Sequence, residues 1–203
     1  MSYNEKGARV KDYSQSGEQP MILNALQGVE AGRLLDLGAY HPTVFSNTRA
    51  LYELGWSGVM IEAAPGPMRA LLAEYGNEPR IELIQAAVAL APGLVEMHIS
   101  DDAVSTSDPA AYQTWKEAGG YIGKLLVPSI TLPDIFNCFG GFDFINIDVE
   151  GGSADLLLQC LALKVFPRCF CVEFDKRLHE IMTKACAAGY TGKVVGANVV
   201  LWQ

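Results

Sequence analysis

No stretch of this sequence approaches the roughly twenty uninterrupted apolar residues that a helix needs to cross a bilayer, although half of its 203 residues are hydrophobic. The opening segment, MSYNEKGARVKDYSQSGEQ, lacks the apolar centre of a secretory signal. A soluble, cytoplasmic protein with no membrane partner is therefore expected. Basic charge is scarce: 15 Lys and Arg stand against 23 Asp and Glu, a formal charge of -8. Such a surface repels phosphate backbones, so nucleic acid is not an expected partner. No CxxC pair occurs among Cys138, Cys160, Cys169, Cys171 and Cys186. Buried, reduced thiols are the expectation, with Cys169 and Cys171 alternating onto one face of a strand. Internal repeats and low-complexity linkers are missing too. Length and apolar content suit one core, a single domain over residues 1–203 in which residues 1–32 form a helical segment ahead of the sheet.

What the chain does contain is alternation. Short runs rich in Val, Ile and Phe interleave with longer stretches at helical spacing, the pattern of βαβ units around a mostly parallel sheet with helices on both faces. RLLDLGA, GVMIEA, IELIQAAV, FDFINIDVEGG and RCFCVEF read as successive core strands. TGKVVG and NVVLWQ lie so close together that they predict an antiparallel hairpin, and GLVEMHIS reads as an extra strand. SGEQ, shaped like a capping box, sets the start of a first helix near Ser16. Ser46 caps a second helix, Pro65 and Pro67 open a third, and Asp108 with Pro109 opens another over AAYQTWKEAG. SADLLLQCLAL and KRLHEIMTKACAAG supply two more, the last stopped at Gly189. Residues 100–126 fit either an ordered wall or a mobile lid.

Ligands of open α/β sheets bind beyond the carboxyl ends of the strands. Asp36 and Gly38 end the first strand, Glu62 the second, Asp148 and Glu150 the fourth, and Glu173 and Asp175 the fifth. Gly38 suits close approach of a ligand to the backbone. Tyr40 and Pro42 then stand in the turn where further glycines would let a pyrophosphate pass, which weighs against a nicotinamide cofactor. Glu62, 24 residues after Gly38, is placed to accept both hydroxyl protons of a ribose. Alternation along the fourth strand puts Phe142, Phe144, Asn146, Asp148 and Glu150 on one face, opposite Ile145, Ile147 and Val149. A carboxylate pair beyond a buried strand requires solvent, ligand, metal or hydrogen bonds to receive it. Capping of the next helix by Glu150 is the structural alternative.

DYSQSGEQ, LLDLGAYHPTVFSNTRALYELGWSGVMIEAAP, IQAAV, DFINIDVEG and the closing GY…N occur in that order across nearly the whole chain. Together they resemble the FkbM-type methyltransferase family, class I S-adenosylmethionine-dependent enzymes. The resemblance implies a Rossmann-like sheet of seven strands with the last antiparallel, S-adenosyl-L-methionine as cofactor, and O-methylation of a hydroxyl on a small molecule or sugar. It further implies that Asp36, Gly38 and Ala39 meet the methionine end, Glu62 holds the ribose, Ala86 and Ala87 line the adenine, and Asp148 faces the reacting centre. Gln15 and Glu18 match the N-terminal motif of the family and would close over the cofactor; capping a helix is their structural alternative. The chain departs from the pattern at Asn146, where many members have Lys, near His41, and at Ser153.

Methyl transfer to oxygen is an in-line displacement in which alignment supplies much of the rate. The acceptor hydroxyl also loses a proton, so a carboxylate or imidazole nearby acts as general base. Asp148 and Glu150 are the first candidates and His41 the secondary one, whereas His98 and His179 read as packing residues. The oxygen-only cluster at the strand ends suits Mg²⁺ or Ca²⁺, and Asp148 resembles a metal-ligating aspartate of catechol-type O-methyltransferases. VEFDK lacks the Asp-Asn pair of those enzymes, and metal-independent transfer is the expectation. A nicotinamide-dependent oxidoreductase and an inactive nucleotide-cofactor binder are the alternative functions.

Overall fold

A computed structural model describes residues 11–100 and 102–203. In chain order, the first half holds α1 (Gln19–Ala25), β1 (Arg33–Leu37), α2 (Arg49–Glu53), β2 (Ser57–Glu62), α3 (Pro65–Tyr75), β3 (Ile81–Gln85) and β4 (Ala87–Val88). β5 (Gly93–Ser100), α4 (Pro109–Trp115), β6 (Tyr121–Ile130) and α5 (Leu132–Phe139) form the middle. The chain closes with β7 (Phe144–Ile147), α6 (Ser153–Ala162), β8 (Cys169–Glu173), α7 (Leu178–Ala187), β9 (Thr191–Val195) and β10 (Asn198–Trp202). None of these helices is long and apolar enough to cross a membrane.

The main sheet runs β3-β2-β1-β7-β8-β10-β9. β3, β2, β1, β7 and β8 are parallel, and β10 lies antiparallel between β8 and β9, completing the expected hairpin. Side chains alternate between two packed layers. Leu34, Phe144 and Cys171 meet Ile22, Leu51 and Leu71 from α1, α2 and α3. Leu35, Ile145 and Val172 meet Ile135, Leu157 and Ile181 from α5, α6 and α7. Each such aliphatic side chain contributes roughly 1.5–3 kcal/mol by leaving water. Strand order reverses between β1 and β7, and the ends of those two strands therefore define the ligand crevice.

Several local expectations change. The first helix begins at Gln19 rather than Ser16: the Glu18 carboxylate turns back to accept the Ser16 N–H at 2.8 Å and the Asn198 amide at 2.9 Å. That segment is thus tied to β10 instead of being capped. Ser46 and Asp108 do accept the N–H groups of Arg49 and Ala111, at 3.1 and 2.7 Å. IELIQAAV divides at Ala86, because β4 leaves the main sheet and joins a second one ordered β4-β6-β5. β6 carries Gly123, Lys124 and Pro128 among mostly exposed residues, which breaks the alternation that would have marked it as a strand. α5 was also not anticipated, although Thr131 and Asp134 form a reciprocal capping box. Between positions 102 and 126 the described residues carry tertiary contacts: His98 bridges to Thr106, and the Tyr121 hydroxyl donates to Val104 O at 2.7 Å. Cys160, Cys169 and Cys171 are buried as expected, whereas Cys138 and Cys186 are exposed.

Gly38 is the glycine on which the crevice turns. Its φ is +80°, and a Cβ there would overlap the carbonyl oxygen of Asp148. The close approach that this glycine permits is first of all that of the neighbouring strand end. Gly38→Ala is expected to lose about 2–4 kcal/mol, from the left-handed backbone and the overlap together. Urea unfolding measures it, and an unchanged midpoint would show that β1 and β7 separate at no cost.

Candidate active site

Two rows of polar side chains cross the sheet at the carboxyl ends of its strands, on the face covered by α1 to α3. In the inner row Asp36 is in register with Asn146, and Asn146 with Cys171. The Asp36 carboxylate accepts the Asn146 amide at 2.8 Å and the Thr48 hydroxyl at 2.6 Å, while Asn47 donates to Asn146 at 3.0 Å. Burial raises the proton affinity of Asp36, and these two donors oppose it. Both of its oxygens are thereby engaged by protein groups. Asn47 and Thr48, from the SNT segment, were not assigned roles from sequence, yet they lock the row on which the site stands.

The outer row holds Asp148, Glu173 and Asn198, the last two being cross-strand partners. β7 ends at Ile147, so alternation stops before the acidic residues; Glu150 takes a φ of +32° in the following turn. Phe142 also departs from the expected face and packs with Ile145 and Ile147. The turn nevertheless brings Asp148 and Glu150 together with Glu173, with one carboxylate oxygen of each lying within 4.8 Å of the others. Asp175 does not join them. It accepts the N–H groups of Gly151 and Ala154 at 3.2 and 3.1 Å, taking the helix-capping task that Glu150 was an alternative for.

Three crowded carboxyl groups cannot all ionise cheaply. Asp148 is pushed toward the protonated form by burial, then by Asp36, Asp175 and Glu18. Glu173 is pushed the same way by burial, then by Asp148 and Glu150. The two titrations are linked, so that protonation of one changes the proton affinity of the other. Glu150 is raised to about 7, by burial and then by Asp148 and Asp175, with the Trp115 indole opposing.

Beside this trio lies a cleft of about 600 Å³, counted to its open mouth. Gly38, Glu62, Ala86 and Ala87 line it at one side, and Asp148 and Glu150 at the other. Its outer wall is Asp102, Ala103, Ser105, Thr106 and Ser107 with Met97, residues that sequence reasoning missed because they arrive only when the second sheet folds across β2. Glu62 is nearly buried, its oxygens accepting the N–H groups of Ala64 at 2.7 Å and Tyr40 at 2.9 Å. Burial raises its proton affinity and these N–H groups counter that rise. One further lone pair remains on each oxygen, the donor pattern that a ribose diol satisfies. The small Ala86 and Ala87 leave width for a flat base. The chemistry of the lining therefore fits an adenosyl group.

Other candidates lie apart from the cleft. Ala39 is buried in the α1–α3 layer and donates its N–H to Ile61 O. Glu18 is fully buried in its contacts with Ser16 and Asn198, and Gln15 is exposed. His41 lines a neighbouring hollow with Arg69 and Ile122, and its Nδ1 accepts the N–H groups of Thr43 and Val44, both at 3.1 Å.

The FkbM methyltransferase domain matches residues 36–190. The crystal structure of methyltransferase FkbM from Methylobacillus flagellatus KT is similar with a TM-score of 0.55 at 13% identity, over 86% of this chain and 44% of that one. This chain thus spans less than half of that structure. Precorrin-6y C5,15-methyltransferase from Geobacter metallireducens GS-15 gives 0.52 at 11% identity, covering 98% of this chain and 93% of its own. Putative methyltransferase yhhF from Escherichia coli gives 0.51 at 12% identity, covering 100% and 94%. These likenesses speak for the fold alone. No curated protein sequence matches the chain. The domain match takes in well over half of the sequence, from the end of β1 to Tyr190, and the chain belongs to the FkbM methyltransferase domain family, whose cofactor is S-adenosylmethionine.

Proposed function

We propose that the protein transfers a methyl group from S-adenosylmethionine to a hydroxyl of a small molecule or sugar, with Glu150 and the Asp148–Glu173 pair as its acid–base centre. The observation that carries this reading is the convergence of three carboxylates at one end of a cleft whose other end offers Glu62 and two alanines. The bound cofactor supplies an electrophilic methyl on a cationic sulfonium. Glu62 binds and orients, and the strand-end carboxylates face the cationic side. Glu150, with a proton affinity near neutrality, is suited to take the hydroxyl proton as the oxygen attacks. His41, with Nδ1 committed to its own turn, is not needed for that step.

Charge separates this reading from a nicotinamide oxidoreductase. Glu62, Asp102, Asp148 and Glu150 line the cleft, and among the described residues no Lys, Arg or His does. A diphosphate would meet four acidic side chains without a counter-charge, whereas a sulfonium is attracted by those of them that are ionised.

Four outcomes test the proposal. S-adenosylhomocysteine should bind in calorimetry and raise the melting temperature by mass action, and Glu62→Gln should weaken it by about 1.5–3 kcal/mol. No binding at millimolar ligand would exclude the cofactor assignment. Glu150→Gln and Asp148→Asn should each lower transfer about 10²–10⁴-fold while homocysteine-product affinity changes far less in the Glu150 variant; near-normal turnover in both would remove these groups from the chemistry.

The pH dependence has a definite sign. Glu150 is raised from 4.5 to about 7, so the folded state holds its proton more tightly than the unfolded chain, and stability falls as pH climbs through that window. Glu150→Gln should raise the melting temperature at pH 8 by about 3 °C or more and leave it unchanged at pH 4, whereas wild-type transfer should rise through pH 7 as the base form appears. Exhaustive chelation should leave transfer intact; activity lost to chelator and restored by Mg²⁺ alone would convert the carboxylate trio into a metal site.

A further inference from the structure

The proposed base stands on strained backbone. Glu150 takes a φ of +32° and Gly151 one of +92°, so residue 150 holds a left-handed conformation that a residue with a side chain adopts only where its surroundings enforce it. Three side chains do so: Ser153 accepts the Val149 N–H at 3.0 Å, Asp175 accepts the Gly151 N–H at 3.2 Å, and Thr106 donates its hydroxyl to the Glu150 carbonyl at 2.7 Å. The first two bonds hold the residues on either side. Among the described residues, Thr106 is the partner of the Glu150 main chain itself.

Thr106 is firmly anchored. It is 1% exposed, its N–H donates to His98 O at 3.1 Å, and its carbonyl accepts the His98 N–H at 2.8 Å. Its Oγ1 also accepts the Asp108 N–H at 2.9 Å, the local turn that a Thr just ahead of a helix ordinarily makes. The bond to Glu150 is of another kind, since it spans 44 residues of sequence. Packing supports it: a Cβ at Gly151 would meet Asp108 Cβ at 2.6 Å and Ala111 Cβ at 3.3 Å, so the start of α4 and the turn after β7 lie in direct contact. Thr106 is also part of the outer wall of the cofactor cleft. With its single proton given to Glu150 O, the hydroxyl has none to donate to a ligand there.

We infer that Thr106 is a positioning residue for methyl transfer: by holding the Glu150 carbonyl it fixes the strained turn, and so sets the Glu150 carboxylate beside Asp148 and Glu173 at the end of the cleft. Without that bond residue 150 relaxes toward an ordinary conformation, which swings its Cα–Cβ bond and carries the carboxylate away from its neighbours. Those neighbours come from several elements. Asp148 precedes it in the same turn, Glu173 ends β8, Asp175 follows β8, and Tyr121 faces it from β6. Asp108, at the start of α4, is turned to the N–H of Ala111. Burial, then Asp148 and Asp175, hold the proton affinity of Glu150 at about 7, and each of these causes weakens as the carboxylate moves out. The inference rests on the methyl-transfer reading, in which Glu150 takes the acceptor proton.

NMR of isotope-labelled glutamate carboxyl groups tests this in the full chain, the Glu150 resonance being identified by its loss in Glu150→Gln. Wild type should titrate with a midpoint near 7. Thr106→Val keeps the shape and removes the donor, and its midpoint should fall by about one pH unit or more, toward the ordinary glutamate range. Thr106→Ser retains the hydroxyl and should titrate as wild type does. A role in packing alone predicts the opposite order, because valine matches threonine in volume and serine does not. Thr106→Ala, which differs from Thr106→Ser by the hydroxyl, gives the same reading if the valine variant does not fold. S-adenosylhomocysteine calorimetry on the same proteins should give affinities within about twofold of one another. An unmoved midpoint on loss of the hydroxyl would overturn the inference, as would a lowered midpoint in Thr106→Ser. A product affinity weakened about tenfold or more with the midpoint in place would make Thr106 a cofactor contact and overturn it too. Wild type that binds no S-adenosylhomocysteine would overturn the methyl-transfer reading and this inference with it, whereas the other failures leave that reading standing.

Discussion

The contact between the ends of β1 and β7 is the constraint from which the rest of the site follows. Asp148 donates its N–H to Leu37 O at 2.9 Å, and its carbonyl fills the space beside Gly38. Any side chain at that glycine would push the strands apart. Just inside the contact, Asp36, Asn146, Asn47 and Thr48 form a buried chain of hydrogen bonds that fixes the same two strands from their side chains. With the junction closed, Glu62 on β2 and Asp148 after β7 become opposite lips of one cleft. Their separation is then set by two strand spacings instead of by flexible loops.

Holding several carboxyl groups in that cleft works against stability, and the fold offsets the cost unevenly. Glu62 receives two backbone N–H groups and Asp36 two side-chain donors. Asp175 is drawn off to the N-terminus of α6, where the helix dipole favours an anion. Asp148, Glu150 and Glu173 receive far less; Glu173 Oε2 is buried with no hydrogen-bond partner among the described residues. Selection for stability alone would replace such groups with apolar or neutral ones. Under-paired carboxyl groups with raised proton affinity at one end of a cleft are what the proposed acid–base centre requires.

How much of this was legible in the sequence depends on the range of the forces involved. Hydrophobic period and turn residues are local signals, and they located the core strands, most helices and the closing hairpin. Strand-end acids were legible as well, since the sheet itself collects them. Whatever depended on one segment folding over another was hidden. β6 carries little strand signal because it buries only Val127, while its partner β5 supplies Met97 and Ile99 to the same cluster. Glu18 looks like a ligand or cap from its neighbours Ser16 and Gln19, but its partner is Asn198, 180 residues away. The convergence of Glu173 with Asp148 and Glu150 likewise arises from strand order, which no local pattern encodes. Alternation even misled at Phe142 and Glu150, because it was extended past the ends of a four-residue strand.

The glycine-poor turn after β1 shows why the same scaffold can abandon phosphate binding. In a dinucleotide-binding turn, free backbone N–H groups at a helix N-terminus receive the pyrophosphate. Here the Tyr40 N–H is consumed by Glu62, and those of Thr43 and Val44 by His41 Nδ1. Tyr40 and Phe45 take positive φ values of 48° and 57° without being glycine, a strain tolerated because these bonds and their mutual stacking hold the loop. Donors that would attract an anion have been turned inward, and carboxylates face the cleft in their place. With its donors turned inward and carboxylates facing the cleft, the turn offers a diphosphate no anion-binding backbone, and the Glu62 carboxylate is held in place by the Tyr40 N–H that such a ligand would have used.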